Sequence, residues 1–367
     1  MNQRDKDLFL DTALLAAKSA SKIILESNKK IVKTYKGLTD LVTATDIESE
    51  RAIIDIIQSN YPKHNVLAEE SGKILNESDY TWIVDPLDGT TNFVHNYPFY
   101  GVSIALLHDN EVIVGVVIEL PSMNIYRATN SSASYCNDDL INVSGTNKLL
   151  NSLLVTGFGY VHEENWQKNM KLFKLFTDVT QGVRRSGSAA IDLCHTASGK
   201  VDGYWEYDLS PWDVAAGSLI AKQAGAMITN FSGEKFSIYE NQVLVSNKKL
   251  HKPMINILEQ IMAPNQYEAN VKTKRGSNDH VEFAIKLQND VMCPIDSHWP
   301  IEKYKAIDEA FQEKDKNALA KARHDLALAF KNKSKNVNQK YINPPLTTDF
   351  AIVYLSLIHI SEPTRPY

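Results

Sequence analysis

The sequence predicts a layered α/β or α+β protein, because helical and strand-like patterns alternate irregularly along most of the chain. Short apolar runs of strand length are bounded by turn residues, and longer segments repeat apolar residues at helical spacing. The chain has 367 residues, of which 43% are hydrophobic and 23% charged. This composition excludes a wholly disordered or collagen-like chain, and the length favours two or three domains.

The first predicted element is an amphipathic helix over residues 7–28. Asp11, Lys18 and Lys22 interrupt its apolar residues, so it is too polar for a signal peptide and its apolar run is too short to cross a bilayer. Further helices are predicted over residues 46–60, 166–176, 189–198, 214–223 and 253–261. Strands are predicted over residues 82–84, 102–107, 112–119, 152–156 and 242–246, with a turn at His108-Asp109-Asn110 between the second and the third.

The composition of the chain changes after residue 262. Residues 263–278 are polar and rich in turn formers, which predicts a linker between a domain over residues 1–262 and a smaller α+β segment over residues 279–355. In that segment we expect strands over residues 281–287, 291–295 and 350–355 and one charged helix over residues 301–335. Residues 356–367 look like a translated sequencing-adaptor tail and carry no fold prediction, so we expect the C-terminal segment to be truncated.

Charge and cysteine content exclude several function classes. The formal net charge is −5, which does not favour a general nucleic-acid binder. Cys136, Cys194 and Cys293 are far apart and have no zinc-site spacing, so neither a disulfide framework nor a structural zinc site is expected. This cysteine pattern suits a reducing cytosol, so we predict a cytoplasmic protein. With no apolar run of 18 residues, we also predict a soluble protein without a membrane partner.

The densest chemical signal is Asp85-Pro86-Leu87-Asp88-Gly89-Thr90-Thr91-Asn92, which directly follows the apolar strand 82–84. Two acids three residues apart supply the hard oxygen ligands that Mg²⁺ prefers. Gly89 allows the backbone to approach a ligand closely, and backbone N–H groups at a helix start suit a phosphate. The sequence therefore predicts a magnesium and phosphate site here.

Two other interpretations compete with this one. A surface turn has the same composition, since Asp, Pro, Gly and Thr all favour turns. The surface-turn interpretation is weakened because two more acids lie next to apolar segments in the same way. Glu69 follows the apolar residues 66–68, and Asp213 lies in the first turn of an apolar helix. Asp213 alone is also typical of a helix cap. A covalent aspartyl-phosphate mechanism needs two aspartates separated by one residue, whereas Asp85 and Asp88 are separated by two.

Five ordered motifs resemble the inositol monophosphatase family, and the resemblance covers roughly residues 5–262. They are residues 41–46, 69–71, 82–93, 185–190 and 212–217. The resemblance implies a layered α-β-α-β-α sugar-phosphatase fold, followed here by the truncated α+β appendage. It also implies a homodimer, inhibition by lithium, and Mg²⁺-dependent hydrolysis of a phosphate monoester.

The resemblance also implies the site residues. Glu69, Asp85 and the Leu87 carbonyl would hold one metal ion, and Asp85, Asp88 and Asp213 a second. Glu69 and Thr90 would position and deprotonate the water that attacks in line, and Asp88 is also implied to be catalytic. Asp46 would support the metal-binding acids without binding a metal ion directly. Contacts to the substrate, including phosphate held by the N–H groups of Gly89 and Thr90, are implied for Glu69, Leu87, Asp88, Gly89, Thr90, Gly187, Ser188, Ala189, Glu206 and Asp213.

The predicted substrate is inositol monophosphate or a similar polyol or sugar phosphate. Sugar-bisphosphate and nucleotide 3′-phosphatases share the metal motif and remain alternatives, as does a metal-binding scaffold without catalysis. Residues 294–304 and 340–352 resemble the RmuC-type DNA recombination family, in which a lysine usually stands two residues after the motif aspartate. Here His298 follows Asp296, which puts a nuclease role in doubt. A DNA-associated protein that acts through this C-terminal segment is a further alternative function, since the lysine-rich helix in residues 314–340 could contact DNA. A solvated helical face explains the same lysines, so nucleic acid is not the predicted partner.

Overall fold

The computed structural model describes residues 3–27, 33–35, 41–159, 162–262, 267–272, 281–286, 291–297, 301–349 and 351–354. The chain forms two compact units, Met1–Met262 and Ala263–Tyr367. No helix in the described part of the chain is long and apolar enough to span a membrane.

The first unit contains seven α-helices among its described residues, and a short 3-10 helix at Leu149–Asn151. The α-helices are α1 (Gln3–Ser27), α2 (Ala44–Asn60), α3 (Thr90–Val94), α4 (Glu164–Val179), α5 (Ala189–Ala197), α6 (Pro211–Gln223) and α7 (Lys248–Met262). The strands are β1 (Lys33–Tyr35), β2 (Leu41–Thr43), β3 (Asn65–Ala68), β4 (Gly72–Ile74), β5 (Tyr80–Asp88), β6 (Tyr100–His108), β7 (Glu111–Leu120), β8 (Asn124–Thr129), β9 (Tyr135–Cys136), β10 (Asp139–Leu140), β11 (Leu153–Thr156), β12 (Gly182–Arg185), β13 (Gly203–Tyr207), β14 (Met227–Thr229) and β15 (Gln242–Ser246).

These elements stack in five layers, which confirms the predicted layered fold. Besides the β1–β2 hairpin there is an eight-stranded sheet in the order β10-β9-β8-β7-β6-β5-β3-β4 and a five-stranded sheet in the order β12-β11-β13-β15-β14. Helices α1 and α2 cover one face of the large sheet, α5 and α6 lie between the two sheets, and α4 and α7 cover the outer face of the small sheet. Each layer buries its apolar face against the next.

The local sequence explains how the first layer forms. Helix α1 buries Ala13, Ala16, Ala17 and Ala20, and this stripe of small side chains at helical spacing lets the helix lie close to its neighbours. Helix α2 begins with a capping box, in which the backbone N–H of Thr43 donates to Asp46 Oδ2 at 2.9 Å. The cap satisfies backbone groups that the first turn leaves unpaired.

Strand β5 departs from regular pairing where the acidic motif begins. Asp85 pairs with Ser103 and Asp88 with Gly101 on β6, so β5 carries one extra residue between these two pairs. Side chains alternate between the faces of a strand, and residues three apart would therefore point to opposite sides. The bulge shifts this alternation by one residue, which allows Asp85 and Asp88 to line one cavity.

The second unit combines a four-stranded sheet with two helices. Its sheet has the order β16-β17-β18-β19, and Lys333 Nζ lies 2.7 Å from the buried carboxylate of Asp296. A cation from a helix thus accompanies the acid that the sequence singled out, while His298 lies outside the described residues. The elements are β16 (Tyr267–Val271), β17 (Val281–Lys286), β18 (Met292–Ser297), α8 (Ile301–Gln312), α9 (Lys316–Tyr341) and β19 (Ile352–Tyr354).

Most predicted elements are present, with three differences. The expected helix over residues 301–335 is wrong as a single element, because Lys314 adopts a positive φ of 56° and Asp315 caps the new helix α9. Helix α7 begins at Lys248 and has Pro253 in its interior, whereas the predicted helix began at Pro253. Strand β16 lies inside the segment predicted as a linker. The remaining residues of that segment, apart from Lys272, and the predicted tail lie outside the described residues.

Candidate functional site

A cavity of about 700 Å³ opens in the first unit, where several motifs of the sequence meet. Its walls include every residue predicted for the site except Asp46. These residues come from the turn after β3, from β5 and the start of α3, from β13, and from the starts of α5 and α6. The lining residues predicted from the sequence are Glu69, Asp85, Leu87, Asp88, Gly89, Thr90, Gly187, Ser188, Ala189, Glu206 and Asp213.

Asp85 and Asp88 have different hydrogen-bond partners. Asp85 is 2% exposed, and its Oδ1 accepts a hydrogen bond from the backbone N–H of Leu87 at 3.0 Å. Asp88 Oδ2 accepts from the hydroxyl of Ser188 at 2.6 Å and from the backbone N–H of Ala190 at 2.8 Å. The start of α5 therefore holds Asp88 through one carboxylate oxygen.

Glu69 lies on the turn between β3 and β4, and a buried acid on α2 shapes this turn. The backbone N–H of Glu69 donates to the carbonyl of Val84 at 3.2 Å, which ties the turn to β5. The Glu50 carboxylate accepts the backbone N–H groups of Glu70 and Ser71, each at 2.8 Å. Because it satisfies two backbone donors of the turn, Glu50 fixes the segment that carries Glu69.

Asp213 both caps a helix and lines the cavity, which the sequence analysis treated as alternative roles. Its Oδ2 accepts the backbone N–H of Ser210 at 2.6 Å, as in a capping box at the start of α6. The same residue lines the cavity. The capping interaction fixes the side chain on its helix, so the cap also positions the acid.

Thr90 connects the cavity to Asp46. Its hydroxyl lies 3.0 Å from Asp46 Oδ1 and 3.1 Å from the Leu87 carbonyl oxygen. Asp46 is fully buried on α2 and does not line the cavity. Among the described contacts, the Thr90 hydroxyl links Asp46 to the cavity.

Two glycines allow the walls to approach each other. Gly89 has a positive φ of 91°, and a Cβ atom there would lie 3.1 Å from the Phe99 carbonyl oxygen and 3.2 Å from that of Gly187. Gly187, with a φ of 93°, is also in the left-handed region, and Ser188 caps α5. A side chain at either glycine would strain the backbone.

Burial and mutual repulsion dominate the electrostatics of the acids. Burial raises the pKa of the Asp85 carboxyl well above its ordinary value, and the charges of Glu69, Asp88 and Asp213 raise it further. Burial also raises the pKa of Asp88 to about 6, partly offset by the hydrogen bond from Ser188. The pKa of Asp213 is likewise raised well above its ordinary value, first by burial and then by Asp88. Gathering these acids in one cavity therefore has a cost that a bound cation would offset.

The donor set fits a hard divalent cation. All four acids and the Leu87 carbonyl offer oxygen, which is the ligand type that Mg²⁺ prefers. Within the described residues, no three His, Cys, Asp or Glu side chains already converge closely enough to hold a metal ion.

The sequence did not predict several residues of the cavity wall. Arg185 is exposed at the cavity and is the only cationic side chain among the described lining residues. It is the first residue of the 185–190 motif and lies two residues before Gly187, so its position in the motif was a usable signal. The other lining residues that were missed are Gly157, Phe158, Gly159, Glu163, Glu164, Asn165, Asp208 and Leu209.

The raised pKa values predict how the metal-free protein responds to pH. The pKa values of Asp88 and Glu206 are raised to about 6 and about 7, from ordinary values of 3.8 and 4.5. A raised folded-state pKa stabilises the fold below the unfolded-state value, and this contribution is lost as pH rises through the folded-state value. We therefore expect the metal-free protein to melt about 5 °C lower at pH 8 than at pH 5. This difference is net of His251, whose pKa is lowered by burial to about 4 and whose contribution has the opposite sign between these pH values.

Thermal unfolding with a chelator at the two pH values measures this difference. The variant Glu206→Gln, which removes one of the two titrating groups, should show a smaller difference than the wild type. An equal or higher melting temperature at pH 8 in the wild type would contradict the expectation.

The fold and cavity define a class: a five-layered α/β protein with an oxygen-rich site between its sheets. Residues 5–263 match the model of the inositol monophosphatase family. The chain therefore belongs to the inositol monophosphatase family, whose members are generally metal-dependent phosphatases. Residues 253–358 match the RmuC family, and the two matches confirm both resemblances seen in the sequence.

Individual relatives agree with the family. The chloroplastic phosphatase IMPL1 of Arabidopsis thaliana is 45% identical over 273 residues, which cover 72% of this chain and 72% of the relative. The putative Nus factor SuhB of Neisseria meningitidis serogroup B is 38% identical over 255 residues, covering 68% of this chain and 97% of the relative. The structure of inositol monophosphatase from Anabaena (Nostoc) sp. PCC 7120 has 39% identity and a TM-score of 0.63, covering 69% of this chain and 96% of that one.

Proposed function

We propose that this phosphatase is a Mg²⁺-dependent phosphate monoester hydrolase that acts on inositol monophosphate or a similar polyol or sugar phosphate. One observation carries the proposal. Glu69, Asp85, Asp88 and Asp213, from three separate parts of the chain, line one cavity together with Thr90. Acids whose pKa values are strongly raised by burial and mutual repulsion cluster at functional sites.

In this proposal the acids hold two Mg²⁺ ions. Glu69, Asp85 and the Leu87 carbonyl would hold one, and Asp85, Asp88 and Asp213 the other. The bound ions would supply neutralisation of the charge on the attacking and leaving oxygens during in-line displacement. The buried position of Asp85 between the other acids supports its assignment to both ions.

Thr90 and Glu69 would orient the attacking water and remove its proton. The Thr90 hydroxyl lies 3.0 Å from Asp46 Oδ1, so its own proton can point to Asp46 while its lone pair accepts a hydrogen from the water. Asp46 would thereby set the direction of the Thr90 hydroxyl. Attack by water needs no covalent intermediate on the protein, in agreement with the spacing of Asp85 and Asp88.

The opposite wall of the cavity would recognise the alcohol part of the ester. Gly187, Ser188, Ala189, Glu206 and Asp213 lie around this space and offer backbone groups and carboxylates to hydroxyl groups of a polyol. The backbone N–H groups of Gly89 and Thr90, at the start of α3, would contact the phosphate. We also propose the homodimer and the lithium inhibition that the family resemblance implies.

Phosphate release by the full chain tests the proposal. The assay compares myo-inositol 1-phosphate, fructose 1,6-bisphosphate and adenosine 3′,5′-bisphosphate, each with Mg²⁺ and with a chelator. We expect release only with Mg²⁺ and the highest rate with the inositol ester. A faster rate with either bisphosphate would instead support the alternative sugar-bisphosphate or nucleotide 3′-phosphatase. A folded protein that releases phosphate from none of them would refute the proposal.

A further inference from the structure

The carboxylate of Glu206 is held between two neighbours on the cavity wall. Glu206 lies on β13, and its Oε2 accepts a hydrogen bond from the Tyr204 hydroxyl at 2.6 Å. On another side lies Gly157, the first residue after β11. A Cβ atom at Gly157 would overlap both carboxylate oxygens of Glu206. The space that Glu206 occupies therefore exists because residue 157 has no side chain.

The backbone at Gly157 is fixed, so that a side chain there would displace Glu206 rather than the loop. The Gly157 carbonyl accepts a hydrogen bond from Asn169 Nδ2 on α4 at 2.5 Å, and Asn169 is fully buried among its partners. The φ of Gly157 is outside the left-handed region, so alanine meets no backbone strain there. The atoms in conflict form the end of a flexible side chain, which is the part that moves most easily.

Charged groups around Glu206 restrict where its carboxylate can go. Asp88 and Asp208 repel it and Arg185 attracts it. Asp192, buried on α5, also interacts with Glu206 by charge repulsion, and its Oδ2 has no hydrogen-bond partner among the described residues. A carboxylate displaced by a side chain at residue 157 thus loses its Tyr204 partner without gaining an equivalent position.

We infer that Gly157 is a positioning residue that sets substrate specificity. By leaving room for the Glu206 carboxylate, it keeps that group where a hydroxyl of the alcohol part of the substrate can donate to it. This inference rests on the proposed function, because it needs an ester that carries such hydroxyls. An ester without them, such as p-nitrophenyl phosphate, should not depend on Gly157.

The test compares the full-length wild type and Gly157→Ala in the presence of Mg²⁺. We expect the ratio of kcat/KM for myo-inositol 1-phosphate over that for p-nitrophenyl phosphate to fall about tenfold, because one hydrogen bond to a charged group is lost. The fall should come mainly from a higher KM for the inositol ester. Gly145→Ala is the matched control, since a Cβ atom there meets nothing within 4 Å, and it should leave the ratio unchanged.

A second change tests whether the effect passes through Glu206. Glu206→Asp alone should lower the ratio, but in the Gly157→Ala background the shorter side chain makes room for the new methyl group and should restore part of it. Such non-additivity indicates direct coupling between the two positions. If Gly157→Ala does not fold, as judged by thermal unfolding, Tyr204→Phe removes the other restraint on Glu206 and should lower the same ratio.

The outcomes separate this inference from the function it rests on. An unchanged ratio in folded Gly157→Ala, or an equal loss for both esters, would overturn the inference and leave the proposed function intact. A wild type that releases phosphate from neither ester would overturn the proposed function itself.

Discussion

Asp85→Asn should lower kcat for phosphate release by at least about 10³-fold at saturating Mg²⁺. The substitution keeps the shape of a fully buried side chain and removes the charge that both proposed ions would share. It should also raise the melting temperature of the metal-free protein at pH 8, because the repulsion from Glu69, Asp88 and Asp213 disappears. The stabilisation by added Mg²⁺ should then be smaller than in the wild type.

Steady-state kinetics and thermal unfolding with and without Mg²⁺ measure the two effects. The control is Asp11→Asn, which makes the same chemical change at an exposed position on α1 and should alter neither quantity. If Asp85→Asn retained activity within tenfold of the wild type, the assignment of Asp85 to a metal pair would be wrong. A loss of activity together with a lower melting temperature of the metal-free protein would indicate a damaged fold instead.

Thr90→Val should lower kcat by about 10²-fold and leave KM for the inositol ester nearly unchanged. Valine has the same shape but cannot accept a hydrogen from the attacking water or donate to Asp46, 3.0 Å away. Asp46 is fully buried, and its pKa is already raised by burial. Losing a hydrogen-bond donor should raise this pKa further.

Thr91→Val provides the matched control for this experiment. The Thr91 hydroxyl is buried and has no hydrogen-bond partner in the described part of the structure, so its removal should leave the kinetics unchanged. Equal losses in the two variants would mean that the short helix α3 is sensitive to any valine, and that Thr90 has no special role.

The acidic residues of the site could be identified from the sequence, but the sequence could not show how their side chains come to line one cavity. Spacing alone places Asp85 and Asp88 on opposite faces of a strand, and only the bulge opposite β6 allows both to line the cavity. The bulge depends on pairing with Gly101 and Ser103, which follow 13 or more residues later. Pro86 is the local signal for it, because proline inside a central strand is found at bulges, but the motif does not show which strand lies opposite.

Other features could not be predicted from the sequence, for the same physical reason. The overlap between residue 157 and Glu206 joins positions about 50 residues apart, and the support of the Glu69 turn by Glu50 joins a helix to a loop. Both are tertiary contacts, which propensity and periodicity do not encode. By contrast, helix α2 and the β6–β7 pair were predictable because their apolar spacing and turn residues are local.

The layered fold also separates two kinds of evolutionary change. Glu69, Asp85, Asp88 and Thr90 belong to the eight-stranded sheet and its connections, whereas Glu206 and Gly157 belong to the five-stranded sheet and the loop after it. Helix α6, which carries Asp213, lies between them. In the proposed function, substitutions on the small sheet would therefore change which alcohol is accepted and leave Glu69, Asp85, Asp88 and Thr90 unchanged. A lineage with the proposed function would then diversify its substrates through changes on one wall of a single cavity.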